Sequence, residues 1–370
     1  MGMKTYRKQA PVGSPYTRLA QVLVAAARKW RVDATQAECN MCYSEEVEEE
    51  GPDVENNENK RRKARLGRTT RFRFLDRAAI IDAPCTATSP QGHNPWRLCT
   101  VNQVEEVKLV LRLIPIWLSC IMFTVVLSQN HTLYVKQAST MQRSFISHNF
   151  IVPPASLQSL IGLTIIITVP FYDRIFVPFV RRHITGHPSG ITLLQRIGTG
   201  LALSILEAAV AALVESRRLR VAKHYGLLDG PKGAVVPMQV WWLVPQYAIS
   251  GMSDAFTIVG LQELFYDQMP ESMRSMGAAA YISIVGIGSF VNTGVITVVQ
   301  GVSSRAGGGK WLGDNLNRAN LDKFYWILAG MSAVNFCVYL LIARGFVYRT
   351  VEEHDVRRLE RRGGGAGGRS

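Results

Sequence analysis

The sequence has little charge where it is most apolar, few cysteines, and no short motif of a known catalytic chemistry. Charged residues make up 19% of the 370 positions against 47% hydrophobic ones, and they gather in blocks between long apolar stretches. That arrangement excludes an ordinary soluble domain, whose charge is spread over the whole surface. The six cysteines form no disulfide framework. Cys120 and Cys337 lie in apolar stretches, where a small thiol needs no special role. Cys39-Asn-Met-Cys42 has zinc-ligand spacing, but only Cys85 and Cys99 remain to complete four thiolates and they form no second close pair. No metal site and no cofactor are expected. There is no nucleophile elbow, and "AGGGK" at 306–310 lacks the spacing of a phosphate-binding loop, so an enzyme has no support. Residues 1–40 lack an apolar core followed by a small-residue cleavage site, so no secretory signal is expected there.

What is present is a set of six long apolar stretches, at 109–129, 155–180, 191–213, 240–265, 276–299 and 324–346. Each approaches the roughly 20 residues that a helix needs to cross a hydrocarbon core. The expected fold is therefore an all-α membrane protein of six transmembrane helices. An even number of crossings puts both ends on one side. The formal charge of +14, the basic first 104 residues and the tail arginines Arg357, Arg358, Arg361 and Arg362 make that side cytoplasmic. One segment opposes this. Arg217, Arg218, Arg220, Lys223 and Lys232 follow the third stretch and would lie outside. The glycosylation sequon Asn130-His-Thr132 also falls outside, close to the end of the first stretch.

Three regions follow: a cytoplasmic linker at 1–104, the bundle at 105–346 and a flexible tail at 347–370 containing "GGGAGG". In the linker, Ser14-Pro15 reads as a helix start, with the helix running over about 15–31. Leu19, Val22, Leu23, Ala26 and Trp30 share one face, and Arg18, Arg28, Lys29 and Arg31 edge the other. Such a helix lies on the membrane surface or packs on the protein's own cytoplasmic side. Residues 44–59 are acidic and poor in apolar groups, which predicts disorder. The basic run "KRRKARLGRTTRFRFLDR" at 60–77 reads as a solvated linker or a contact with anionic headgroups of the bilayer, not as a nucleic-acid site.

Carboxylates inside the apolar stretches are the candidate functional residues. An ionised side chain at bilayer depth costs about 2.5 kcal/mol or more unless protein or water shelters it, so such residues mark solute and ion paths. Asp254 and Glu263 sit in the fourth stretch, nine residues apart. On a helix that spacing is about 13 Å along the axis and nearly opposite faces, so each needs its own partner. Glu263 can hold a cationic group, carry a coupling proton, or form a structural ion pair with a neighbouring helix. Glu207 stands in the middle of the third stretch with no basic residue near it in sequence, and either faces a cavity or hydrogen-bonds within the bundle. Asp173 and Arg174, followed by Arg181 and Arg182, are candidates for a gating latch or for a simple interfacial anchor. The fifth stretch, rich in Gly, Ala and Ser, predicts close helix packing. Pro115, Pro170 and Pro245 predict bends.

Several ordered motifs carry a resemblance: "RFLDRAAI" at 73–80, "WRLCTVNQVEEVKLVLRLIPIW" at 96–117, "PFYDRIFVPFVRR" at 170–182 and "SDAFTIVGLQELFYDQMPESMRS" at 253–275. Together they resemble the plant nitrate/peptide transporter family, within the proton-coupled oligopeptide transporters of the major facilitator superfamily. The resemblance implies a proton-driven symporter of small nitrogenous solutes, with two six-helix halves and alternating access. It implies that Glu263 faces the substrate and contacts a peptide amine. It also implies that the chain begins at the family's central linker, so that a further six-helix half would be its partner. A histidine that nitrate-handling relatives use is matched here by Leu127. A half-transporter that acts as a membrane interaction partner is the competing reading. The expected membrane is the plasma or vacuolar membrane, with both termini cytoplasmic.

Overall fold

The structure, a computed structural model, describes residues 14–30, 69, 72–80, 94–144, 151–182, 191–228, 231, 234–269, 273–305, 311–313 and 315–346. Cys39, Cys42, Cys85, the acidic run at 44–59, most of the basic run at 60–77 and the tail at 347–370 lie outside the described residues. The chain divides into two compact units, each described by itself.

The first unit is built on α1 (Pro15–Arg28), a 3-10 segment over Arg73–Ala79 and the first turns of α2 (Val101–Leu127). Ser14 holds the N-cap position of α1, but its carbonyl rather than its hydroxyl meets the first-turn amides. Of the apolar face read from the sequence, Val22 and Ala26 are buried, with Ala25 beside them and Leu19 half-buried, against Leu75, Ala78, Ala79, Val104 and Val107, whereas Leu23 and Trp30 are exposed. Packing on the protein's own residues, one of the two readings of this helix, is thus observed for part of that face. Lys29 donates to the Ile80 carbonyl. Lys108, fully buried, joins Glu105 at 2.7 Å and Asp76 at 2.5 Å. α2 opens on a reciprocal cap, in which the Thr100 and Gln103 side chains each accept the other's backbone N–H.

The second unit holds the rest of α2, a 3-10 turn at Ser128–His131, α3 (Leu133–Ser139), α4 (Ser159–Phe171), α5 (Val177–Val180), α6 (Leu193–His224), α7 (Val244–Gln268), α8 (Arg274–Arg305) and α9 (Leu321–Arg344). Among the described residues, five helical stretches are long and apolar enough to span a membrane: Val101–Ser139, Pro154–Phe179, Leu193–His224, Arg274–Arg305 and Leu321–Arg344. α7 has 25 residues and thus the length to span. Gln246, Ser250, Ser253, Asp254, Thr257, Gln262, Glu263, Asp267 and Gln268 lower its apolarity.

Two boundaries differ from the sequence reading. α6 does not stop at Leu213 but runs to His224, so Arg217, Arg218, Arg220 and Lys223 stand on a helix rather than in a loop. Its start is set by a capping box between Thr192 and Gln195. Pro245 falls in the first turn of α7, where no N–H donor is needed, directly after a 3-10 turn at Val240–Leu243. Between α4 and α5, the turn Tyr172–Phe176 is a π-helix that carries Asp173 and Arg174. Pro178 cannot donate to the carbonyl four residues back, which favours this wider turn.

Small residues permit the close helix packing expected of α8. A Cβ on Gly288 would overlap the Thr124 side chain of α2, and the Trp117 indole of α2 donates to the Ala280 carbonyl at 3.0 Å. Two short parallel strands, β1 (Met141–Gln142) and β2 (Val236–Gln239), pair at one end of this unit. The sequon residue Asn130 is fully buried and donates to Ser250 at 2.6 Å, so it offers no surface to a glycan.

Candidate functional site

α6 and α7 approach each other at Gly200. Ser253 Oγ donates to the Gly200 carbonyl at 2.8 Å, and a Cβ on Gly200 would lie 2.8 Å from the Thr257 backbone nitrogen. Two helical turns along α6 from this contact stands Glu207, and one turn back along α7 from Thr257 stands Asp254. Both are buried, at 2% and 5% exposure. They are close enough to feel each other's charge, and among the described residues neither has an ion pair. Glu207 accepts hydrogen bonds from Ser250 of α7 and from the Tyr134 hydroxyl of α3, the latter at 3.4 Å. Tyr134 in turn packs edge-on against Tyr247 of α7 and Tyr325 of α9, with centroids 5.8 and 5.6 Å away. Of the two roles open for Glu207 in the sequence, the structure shows the hydrogen bond within the bundle. It also brings Asp254 to Glu207, a pairing that sequence separation concealed.

Glu263 is differently placed. Its carboxylate accepts from Arg196 Nη1 at 3.1 Å, and its side chain is 45% exposed. Arg196 stands in the first turn of α6, its guanidinium 4.6 Å over the Tyr172 ring. Tyr172 stacks on Phe176 and meets Phe256 edge-on. Thr168, Val169, Tyr172, Arg196, Ala255 and Phe256 line a seam too narrow for water. Asp173 and Arg174 are exposed beside it. Sequence reasoning missed Arg196. It lies 67 residues before Glu263, and a basic residue at a span end reads as an interfacial anchor.

A third charged group on α6 is sealed. Glu215 and Arg218 are fully buried and joined at 2.6 Å. The Arg218 guanidinium also donates to the Thr140 hydroxyl, the Asn317 side-chain oxygen and the Leu316 carbonyl, at 3.2, 2.7 and 2.9 Å. Gln137 donates to Glu215 at 2.7 Å. Every donor of this guanidinium has an acceptor. The spacing of three between Glu215 and Arg218 was the available signal. It also explains why α6 continues through a charged stretch. Among the described residues no group of three or more His, Cys, Asp or Glu side chains is arranged to hold a metal.

The length and apolarity of these helices make the chain an integral, multi-pass membrane protein. The chain belongs to the POT family: its sequence matches the PTR2 profile of that family over residues 1–312. Among curated relatives it is 54% identical to Protein NRT1/PTR FAMILY 5.4 of Arabidopsis thaliana, over 96% of this chain and 62% of that protein. Protein NRT1/PTR FAMILY 5.7 of the same plant is 42% identical, over 95% of this chain and 56% of that protein. The chain thus spans about three-fifths of the length of these relatives. Among solved structures, the POT family transporter PepTSo aligns over 66% of this chain and 43% of its own, with a TM-score of 0.51 and 19% identity. An auto-inhibited POT family peptide transporter aligns over the same share of this chain, and 42% of its own, with a TM-score of 0.51 and 20% identity. These likenesses show that the bundle shares its fold with part of two POT family transporters.

Proposed function

We propose that this chain forms one half of a proton-coupled symporter for small nitrogenous solutes, peptides or nitrate among them, and that a further six-helix segment supplies the opposite wall of its cavity. Substrate sites in this fold lie between repeats, near mid-membrane. The single observation that carries the reading is the state of Glu263, held by Arg196 yet nearly half exposed. A carboxylate in that state can exchange its cation: Arg196 holds it at rest, and a cationic group of the solute competes for it during transport. Asp173 and Arg174, exposed on the π turn, are proposed to make and break contacts as the two halves rock. The membrane is proposed to be the plasma or vacuolar membrane, with both termini in the cytoplasm.

The test is proton-dependent uptake by the complete transporter carrying Glu263→Gln. A hydrogen bond to a charged group is worth about 1.5–3 kcal/mol. Loss of that contact is expected to lower uptake of cationic or zwitterionic peptides roughly ten- to hundredfold, and to spare anionic solutes. Undiminished uptake of both classes removes the role assigned to Glu263.

A further inference from the structure

Three acidic groups stand on α6 or against it, and the middle one differs from the other two. Glu263 has Arg196, and Glu215 has Arg218. Glu207 instead faces a second carboxylate, Asp254, across a helix contact that Gly200 keeps close. Two negative charges in one dry site repel each other, and each has lost its hydration. The structure offers Glu207 hydroxyls rather than cations. Those facing Glu207 are Tyr134 from α3, Ser250 from α7 and Tyr325 from α9, with Tyr247 packed behind them against Tyr134. Glu215 and Arg218 lie further along α6 and act on Tyr325. A second observation points to an occupant. Asn130, fully buried, uses its amide N–H on Ser250, whose own hydroxyl is turned to Glu207. Its carbonyl oxygen Oδ1 is buried with no hydrogen-bond partner, and so is the hydroxyl of Tyr247, one turn before Ser250 on α7. The cluster therefore has acceptors to spare.

We propose that Glu207 and Asp254 hold one exchangeable proton between them, as an ion-coupling site within this bundle and separate from the Arg196–Glu263 pair. Loading forms a single carboxyl O–H bond with a proton taken from water. Release returns it, and the pair alternates between one negative charge and two. Eleven residues of α6 separate Glu207 from Arg196, about 16 Å along the axis. Proton and solute thus act on different stretches of the same two helices. The inference rests on the proton-coupled reading only for the use made of the proton, since the presence of the proton is measured without transport.

Infrared spectroscopy of the 370-residue chain in lipid nanodiscs reads it directly. The expected result at neutral pH is a carbonyl stretch of a protonated carboxyl group that shifts in deuterated water. It disappears in a variant carrying both Glu207→Gln and Asp254→Asn, and it persists at a displaced frequency in Glu207→Asp, which keeps a carboxyl at the site. A spectrum without such a band, or a band unchanged in the double variant, overturns the proposal. Thermal unfolding of the unaltered chain in sodium against choline chloride supplies the second measurement, independent of whether the variants fold. Equal midpoints support the proton, whereas a midpoint raised by sodium assigns the site to an alkali cation and overturns it.

Discussion

The two Arg–Glu pairs of the second unit stand towards opposite ends of α6 and are built in opposite ways. Glu215–Arg218 is fully buried, and its guanidinium donates to Glu215, Thr140, Leu316 and Asn317. Arg196–Glu263 is joined by one contact, with the carboxylate 45% exposed and the guanidinium resting on the Tyr172 ring. The first arrangement ties three segments together, and every donor is taken. The second has one bond to break and a solvent-reachable acceptor to offer. Identical residue types thus serve permanence at one site and exchange at the other, and burial with full hydrogen bonding decides which.

The sharpest way to break this comparison is to remove one member of the sealed pair. Arg218→Leu leaves Glu215 buried and uncompensated, which costs about 3–5 kcal/mol. A marked fall in the unfolding midpoint in detergent is expected, with recovery of much of the loss when Glu215→Leu is added. A single substitution that leaves the midpoint unmoved contradicts the sealed character of the site. The recovery matters as much as the loss, because it separates the cost of a stranded charge from the worth of the pair.

This site also shows how far the sequence could be read. The family resemblance and the all-α bundle were visible because apolar runs and ordered motifs are local signals. The end of α6 was misplaced because Glu215, Arg217 and Arg218 interrupt the apolar run. A charge that stops a hydropathy count does not stop a helix when its partner stands one turn away. The carboxylates Glu207, Asp254 and Glu263 were recognised from the cost of burying them, but their partners were not. Arg196 and Tyr134 reach them across separations of 67 and 73 residues. Periodicity fixes a residue's face on its own helix and is silent on which helix it meets.

The contact that sets α6 against α7 gives the next largest effect. Gly200→Ala would place a Cβ against the backbone of Thr257, which cannot give way without moving α7. Overpacking of this kind costs about 1–3 kcal/mol. Gly294, with nothing within 4 Å of the position its Cβ would take, is the control. Gly294→Ala is expected to leave the unfolding midpoint nearly unchanged. Equal midpoints for the two variants would mean that the approach at Gly200 is not tight, and the placing of Glu207 against Asp254 would lose its support.

The smallest expected effect on stability belongs to the open pair, and there the comparison is sharpened rather than broken. Arg196→Ala removes a single contact to a carboxylate that water already reaches, for which about 1 kcal/mol or less is expected. Loss of the guanidinium's stacking on Tyr172 adds roughly 0.5–1 kcal/mol. The variant should therefore unfold close to the unaltered chain, while uptake by the complete transporter changes, because Glu263 is no longer held at rest and meets the solute's cation without a competitor. Apparent affinity for cationic peptides should rise, whereas that for anionic solutes stays the same. If Arg196→Ala proves as damaging to the fold as Arg218→Leu, the pair is a structural tie, and exposure alone does not make a charge exchangeable.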